Sequence, residues 1–212
     1  SNNTQDEQKM RKFIILISII IFSCSQKTNE IERIEIMSYY YNLNDSQTEF
    51  KTEPVTYSII DENGNVETIQ KTPFSKNKYL QFKSTVDRKI IDKISLNSKN
   101  KSEKFYNEKP KNSIVEISCG PIIRIKIKYK NQKETTFNFS DFKTNSKHKD
   151  FIELQNLIKN NYAEKKFNKI ENSAELEKKL KAFEKYSMNK DTLELPFPPM
   201  PMPNKNPIKF TK

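Results

Sequence analysis

Apolar and polar residues alternate with a period of two over several stretches of this chain, the pattern of half-buried strands. Ile34 to Tyr41 reads as the first strand and ends in Tyr39-Tyr40-Tyr41. Val55 to Ile60 and Val66 to Gln70 flank Asn63-Gly64 and predict a hairpin. A two-residue loop would oppose Tyr57 with Gln70 and Ile59 with Thr68. A three-residue loop, Glu62-Asn63-Gly64, instead opposes Tyr57 with Ile69 and Ile60 with Val66. It sets apolar against apolar and puts Gly64 in the left-handed position of a bulged turn. The longer loop is the expectation.

Val115, Ile117 and Cys119 alternate with Glu116 and Ser118 in a further strand, broken by Gly120-Pro121. The clearest alternation comes next. Ile123, Ile125, Ile127 and Tyr129 interleave with Arg124, Lys126, Lys128 and Lys130, and Thr135, Phe137 and Phe139 continue one face beyond Asn131-Gln132-Lys133. A loop of those three residues pairs Lys130 with Glu134, Ile127 with Phe137 and Ile125 with Phe139. Each such cross-strand pair adds roughly 0.2–1 kcal/mol.

Elsewhere the period is helical. Val86, Ile90, Ile91 and Ile94 share one face behind Ser84 or Thr85 as N-cap, and Phe151, Leu154, Leu157 and Ile158 form a second stripe. Asn172-Ser173-Ala174-Glu175 resembles a capping box and opens a helix through Tyr186, with Leu176, Leu180 and Phe183 on one side. Asn97 to Asn112 reads as a loop. The prediction is an α+β fold. An antiparallel sheet of about five or six strands carries the helices near 86–96 and 148–162 on one face. The α+β domain spans 31–165, and the C-terminal helix spans 172–187. A Pro-rich tail, 188–212, favours polyproline II and reads as a stiff solvated segment rather than a docking motif.

Composition narrows the picture. Apolar residues make up 34% of the chain, which limits the core, and 14 Phe and 9 Tyr supply its bulk in the absence of Trp. The net charge of +11 comes mostly from Lys, with Arg only at 11, 33, 88 and 124. Nucleic-acid binders lean on Arg and interleaved aromatics, so no nucleic acid is expected.

The segment ahead of the first strand sets location. Met10 reads as the start, with Ser1 to Lys9 upstream of it. Arg11 and Lys12 precede an apolar run, Phe13 to Phe22, that Ser23 and Cys24 close. A charged start, a short apolar stretch and a small residue at the cut make a secretory signal. At about ten residues the run falls short of the roughly 17–25 that a membrane span needs. Cys24 directly after Ser23 resembles the lipobox of bacterial lipoproteins, with Phe22 larger than is usual beside it. The resemblance covers residues 10–24. It implies cleavage before Cys24, acylation of its thiol, a tether over 24–30, and a place in the cell envelope facing the periplasm or the surface. The mature body resembles small uncharacterised lipoproteins, a family that fixes location without an activity.

Few residues of this chain point to catalytic chemistry. His148 is the single histidine and, beside Lys147, Lys149 and Asp150, reads as an exposed surface residue. Cys119 alternates with core positions and reads as a buried, inert thiol. With Cys24 acylated, no internal disulfide remains, and no metal or other cofactor is expected. The two glycines leave no Gly-rich phosphate loop. One geometric candidate stands out. Arg124, Lys126, Lys128 and Lys130 project from one strand face over roughly 20 Å, at ~3.3 Å per residue. Such a ladder fits an anionic partner, although the outer face of a one-sided sheet carries the same alternation.

The leading reading is a membrane-anchored, non-enzymatic binding or assembly module with a protein or anionic envelope polymer as partner. The alternative is an inhibitor or immunity-type protein held at the membrane. An enzyme with convergent carboxylates ranks third, since distant acids can meet in space and the sequence marks no such pair.

Overall fold

A strand with apolar residues on both faces needs a neighbour on each edge and cover above and below, and β1 (Ile31–Leu43) finds all four. The computed structural model describes residues 30–43, 50–72, 79–107, 121–140, 146–171 and 173–190. In it β1 pairs antiparallel with β2 (Phe50–Asp61) on one edge and with β5 (Ile122–Tyr129) on the other. Strands β3 (Asn65–Lys71), β4 (Tyr79–Thr85), β6 (Glu134–Ser140) and the two-residue β7 (Asn168–Lys169) complete an antiparallel sheet of order β6-β5-β1-β2-β3-β4-β7. The fold is α+β, with seven strands where the pattern suggested five or six. The strand expected at 115–119, with Cys119, lies outside the described residues, as do the signal segment, Cys24 and residues 191–212 of the Pro-rich tail; 188–190 continue the last helix instead.

The β2–β3 hairpin has the expected register, Tyr57 opposite Ile69 and Ile60 opposite Val66. Gly64 takes φ +85°, where a residue with a Cβ is strained. The β5–β6 hairpin differs from expectation by a slide of two residues. Ile125 faces Phe137, Ile123 faces Phe139 and Lys128 faces Glu134. The turn decides this. Gln132 takes the left-handed position at φ +67° and donates its N–H to Tyr129 O, while Asn131 Oδ1 accepts from Lys133 N. A slide of two leaves every side chain on its predicted face, because the side-chain period is two.

Helices α1 (Arg88–Ser98), α2 (Glu103–Asn107) and α3 (Lys149–Ala163) cover one face of the sheet. There Ile34, Ile36, Ile60, Ile125, Ile127 and Phe137 meet Ile90, Ile91, Ile94, Tyr106, Phe151 and Leu154. Asp87, rather than Ser84 or Thr85, caps α1, its side chain accepting from Lys89 N. Helix α2 lies inside the segment read as a loop. It sends Tyr106 into the core, stacked on Phe137 at 4.1 Å between ring centroids.

Helix α4 (Ala174–Lys190) lies on the opposite face, capped by Ser173 Oγ, which accepts from Leu176 N. Leu176, Leu180 and Phe183 pack there on Met37, Tyr39, Tyr57 and Ile69.

Exposed strand edges invite pairing with other chains, and here β6 and β4 both have cover. Glu103 Oε1 and Asn107 Oδ1 accept the N–H groups of Thr136 and Asn138 on β6. On the other side β7 pairs with β4, and Ile170 N donates to Gln81 O.

Candidate interaction surface

The ladder residues sit on the sheet face opposite Ile125 and Ile127, as alternation requires, but they do not form an open strip. The one-sided sheet anticipated for them is corrected by α4, which covers part of that face. Arg124 is fully buried. Its Nη2 lies 3.4 Å from Tyr39 Oη, and its guanidinium carbon is 6.0 Å from the Tyr39 ring centroid. Lys126 Nζ lies 3.0 Å from Glu134 Oε1 and 4.6 Å from the Tyr186 ring of α4. Lys128 reaches Glu32 at 2.8 Å. Lys130 bridges Glu30 at 3.0 Å and Glu62 at 2.6 Å. Three of the four cations thus meet carboxylates from other strands or turns, and the fourth lies under cover.

The same face continues as a lattice of opposite charges. Glu35, on β1 in register with Lys126, is buried and accepts the Tyr57 hydroxyl at 2.6 Å. Arg33 Nε stands 2.9 Å from the other Glu35 oxygen, a contact whose angle falls outside hydrogen-bond geometry. Burial first, then the charge of Glu35 and its hydrogen bond, push the Tyr57 hydroxyl well above its ordinary pKa. Tyr57 therefore stays protonated and serves as a donor. Across β3 and β4, Lys83 meets Glu67 at 2.8 Å. Alternating signs on neighbouring strands stabilise the sheet and leave little uncompensated charge. An open cleft of about 780 Å³ beside this lattice is lined by Asp61, Asn65, Glu67, Lys83, Lys165 and Phe167. It too mixes both signs.

Helix α4 is tied across this face by polar contacts at its rim. Thr52 Oγ1 donates to Glu184, Gln81 Oε1 accepts from Ser173 N, and the hydroxyls of Thr136 and Tyr186 lie 3.0 Å apart. The amphipathic stripe of α4 was visible in the sequence; its landing place beside the ladder was not.

His148 is buried, which corrects its reading as a surface residue. The turn Ser146–His148 directs the ring inward, where it stacks on Phe139 at 4.7 Å, with Nε2 3.1 Å from Tyr106 O. Nδ1 has no hydrogen-bond partner. The neutral tautomer with hydrogen on Nε2 suits this site. Burial lowers the His148 pKa, opposed by the Tyr106 carbonyl and reinforced by Lys147. Tyr106 on α2 and Asp150 on α3 also face this region, along with the uncharged Phe137, Phe139 and Phe151.

The sign follows by linkage. The unfolded chain takes up a proton near pH 6.5 while the native state resists it, so stability falls as pH drops through that value. The melting temperature should fall between about pH 7.5 and about pH 5, and fall less in His148→Phe. Equal losses in the two proteins would count against a neutral, buried His148.

No three His, Cys, Asp or Glu side chains group as metal ligands among the described residues, and no helix there is long and apolar enough to cross a membrane. Comparison with known family models, curated proteins and solved structures yields no match to this chain.

Proposed function

We propose that this protein is a lipid-anchored protein of a bacterial envelope, tethered through Cys24, that serves as a non-enzymatic binding or assembly module. The observation that carries the reading is the run Met10 to Cys24: basic start, short apolar stretch, and cysteine after a small residue.

The start of the fold supports it. Glu30 O already accepts Lys130 N at the head of the sheet. Only residues 25–29 lie between the thiol and that point, a reach of roughly 20 Å at about 3.5 Å per residue. Beside Glu30 sit the β5–β6 turn and, through Lys130 and Glu62, the β2–β3 turn. A tether this short holds that end against the membrane and presents the other end outward. Acylation with more than one chain, at ~0.8 kcal/mol per buried CH₂, makes such anchoring stable.

Cells fed labelled fatty acid should label the wild-type protein. Cys24→Ala should abolish the label and accumulate an uncleaved precursor. Labelling that persists in the mutant would refute the assignment.

A further inference from the structure

Three regions compete for a role beyond anchoring: the charged lattice beside α4, the cleft next to β3 and β4, and the outer end of the helical layer. The first two are largely compensated by their own ion pairs. The third is not.

Helices α1 and α3 run antiparallel. Val86 N, just ahead of α1, bonds to Gly64 O at the tethered end, and Asn161 Nδ2 in the last turn of α3 bonds to Thr85 O there. The end of α1 and the start of α3 therefore meet at the far end, where Asn97 Nδ2 donates to Asp150 Oδ2.

That far end collects lysines. Lys101 Nζ stands 4.3 Å from the centroid of the half-buried Phe105 ring. Lys147 Nζ stands 5.1 Å from the same centroid and donates to Phe105 O at 3.1 Å. Lys99, Lys104 and Lys149 are exposed on the adjoining ends of α1, α2 and α3. The neighbouring acids are turned to other work. Glu103 accepts from the backbone of β6, and Asp150 accepts from Asn97 and meets Lys93 at 3.0 Å. Among the described residues Lys99, Lys101 and Lys104 form no ion pair with a carboxylate.

We infer that this membrane-distal lysine cluster, centred on Phe105, binds a polyanionic polymer that carries phosphate groups. Lysine is a compact, mobile point charge that binds phosphate oxygens without the two-point fork with which arginine reads phosphate and carboxylate alike. An interface with an acidic protein would want a desolvated apolar anchor at its centre. Here two ammonium groups lie over the Phe105 ring. Among the described residues the large exposed hydrophobics, Tyr40, Leu96 and Tyr162, are scattered over three elements. The inference deepens the binding role proposed above and depends on it only for access to the envelope, since the surface itself requires no lipid.

The test uses the full chain in non-ionic detergent with inorganic polyphosphate, at about 50 and about 200 mM salt. Wild type should bind, and bind more weakly at the higher salt. The variant Lys99→Gln/Lys101→Gln/Lys104→Gln should bind about tenfold or more weakly at low salt, with the salt slope lowered by about one for each lysine removed. Lys126→Gln/Lys128→Gln, in the compensated ladder, should keep wild-type affinity. Absence of wild-type binding, or equal binding by the triple variant, would overturn the inference. Loss confined to the ladder variant would return the surface to β5. Tighter binding to polyglutamate than to polyphosphate would make the partner an acidic protein. Fatty-acid labelling of the same samples separates the two proposals: labelled protein that fails to bind sinks only the surface, and binding by unlabelled protein sinks only the anchor.

Discussion

Phe137→Ala should remove about 3–5 kcal/mol of folding stability, the usual cost of emptying a buried aromatic site. Phe137 is fully buried in the middle of the helical face. Its ring stacks on Tyr106 at 4.1 Å and 16°, meets Phe151 edge-on at 4.9 Å and lies 5.7 Å from His148. Removing it strips contacts from α2, α3 and the 146–148 turn at once, so the cavity cannot close by moving one neighbour. A domain of this size has only about 5–15 kcal/mol in total. Urea unfolding of wild type and mutant measures the difference. A loss under about 1 kcal/mol would mean that α2 and α3 do not close on β6 as described.

Gly64→Ala should cost at least about 2 kcal/mol, more than the 1–2 kcal/mol of left-handed backbone alone. The reason is a second conflict. A Cβ on Gly64 would stand 2.4 Å from Val86 O, and Gly64 O already accepts Val86 N at 2.8 Å. Backbone faces backbone there, so relief requires shifting the chain into α1. Asn63→Ala, one residue earlier and exposed, leaves those contacts intact and should stay within about 0.5 kcal/mol of wild type. Equal stability of the two mutants would contradict the turn.

Both positions show how far the sequence could be read. Alternation of apolar residues assigned the strand faces, and Gly64 fixed the β2–β3 turn because a left-handed residue had one natural occupant. The β5–β6 turn had no glycine to mark it. Two registers two residues apart both set apolar on apolar, and the left-handed position fell to Gln132. Helix α2 spans five residues, too few for a helical period to emerge, and its contribution rests on Tyr106.

The ladder was legible as a face and illegible as an environment. Its compensating acids, Glu30, Glu32, Glu62 and Glu134, come from β1 and the residue ahead of it, the β2–β3 turn and β6, and Tyr186 arrives from a helix far along the chain. Local charge pattern carries no information about such partners. His148 was misread for the same reason: its neighbours in sequence are charged, whereas its neighbours in space are aromatic. Conversely, the Phe105 cluster draws lysines from three separate helical segments, and no single window of sequence contains it.

The most direct test of the account is the mass of the mature N-terminal peptide, taken from protein extracted from membranes of the producing cell and digested. The account predicts a peptide that begins at Cys24 and carries fatty acyl groups. An unmodified peptide running through Phe22, Ser23, Cys24 and Ser25 in the mature protein would contradict it.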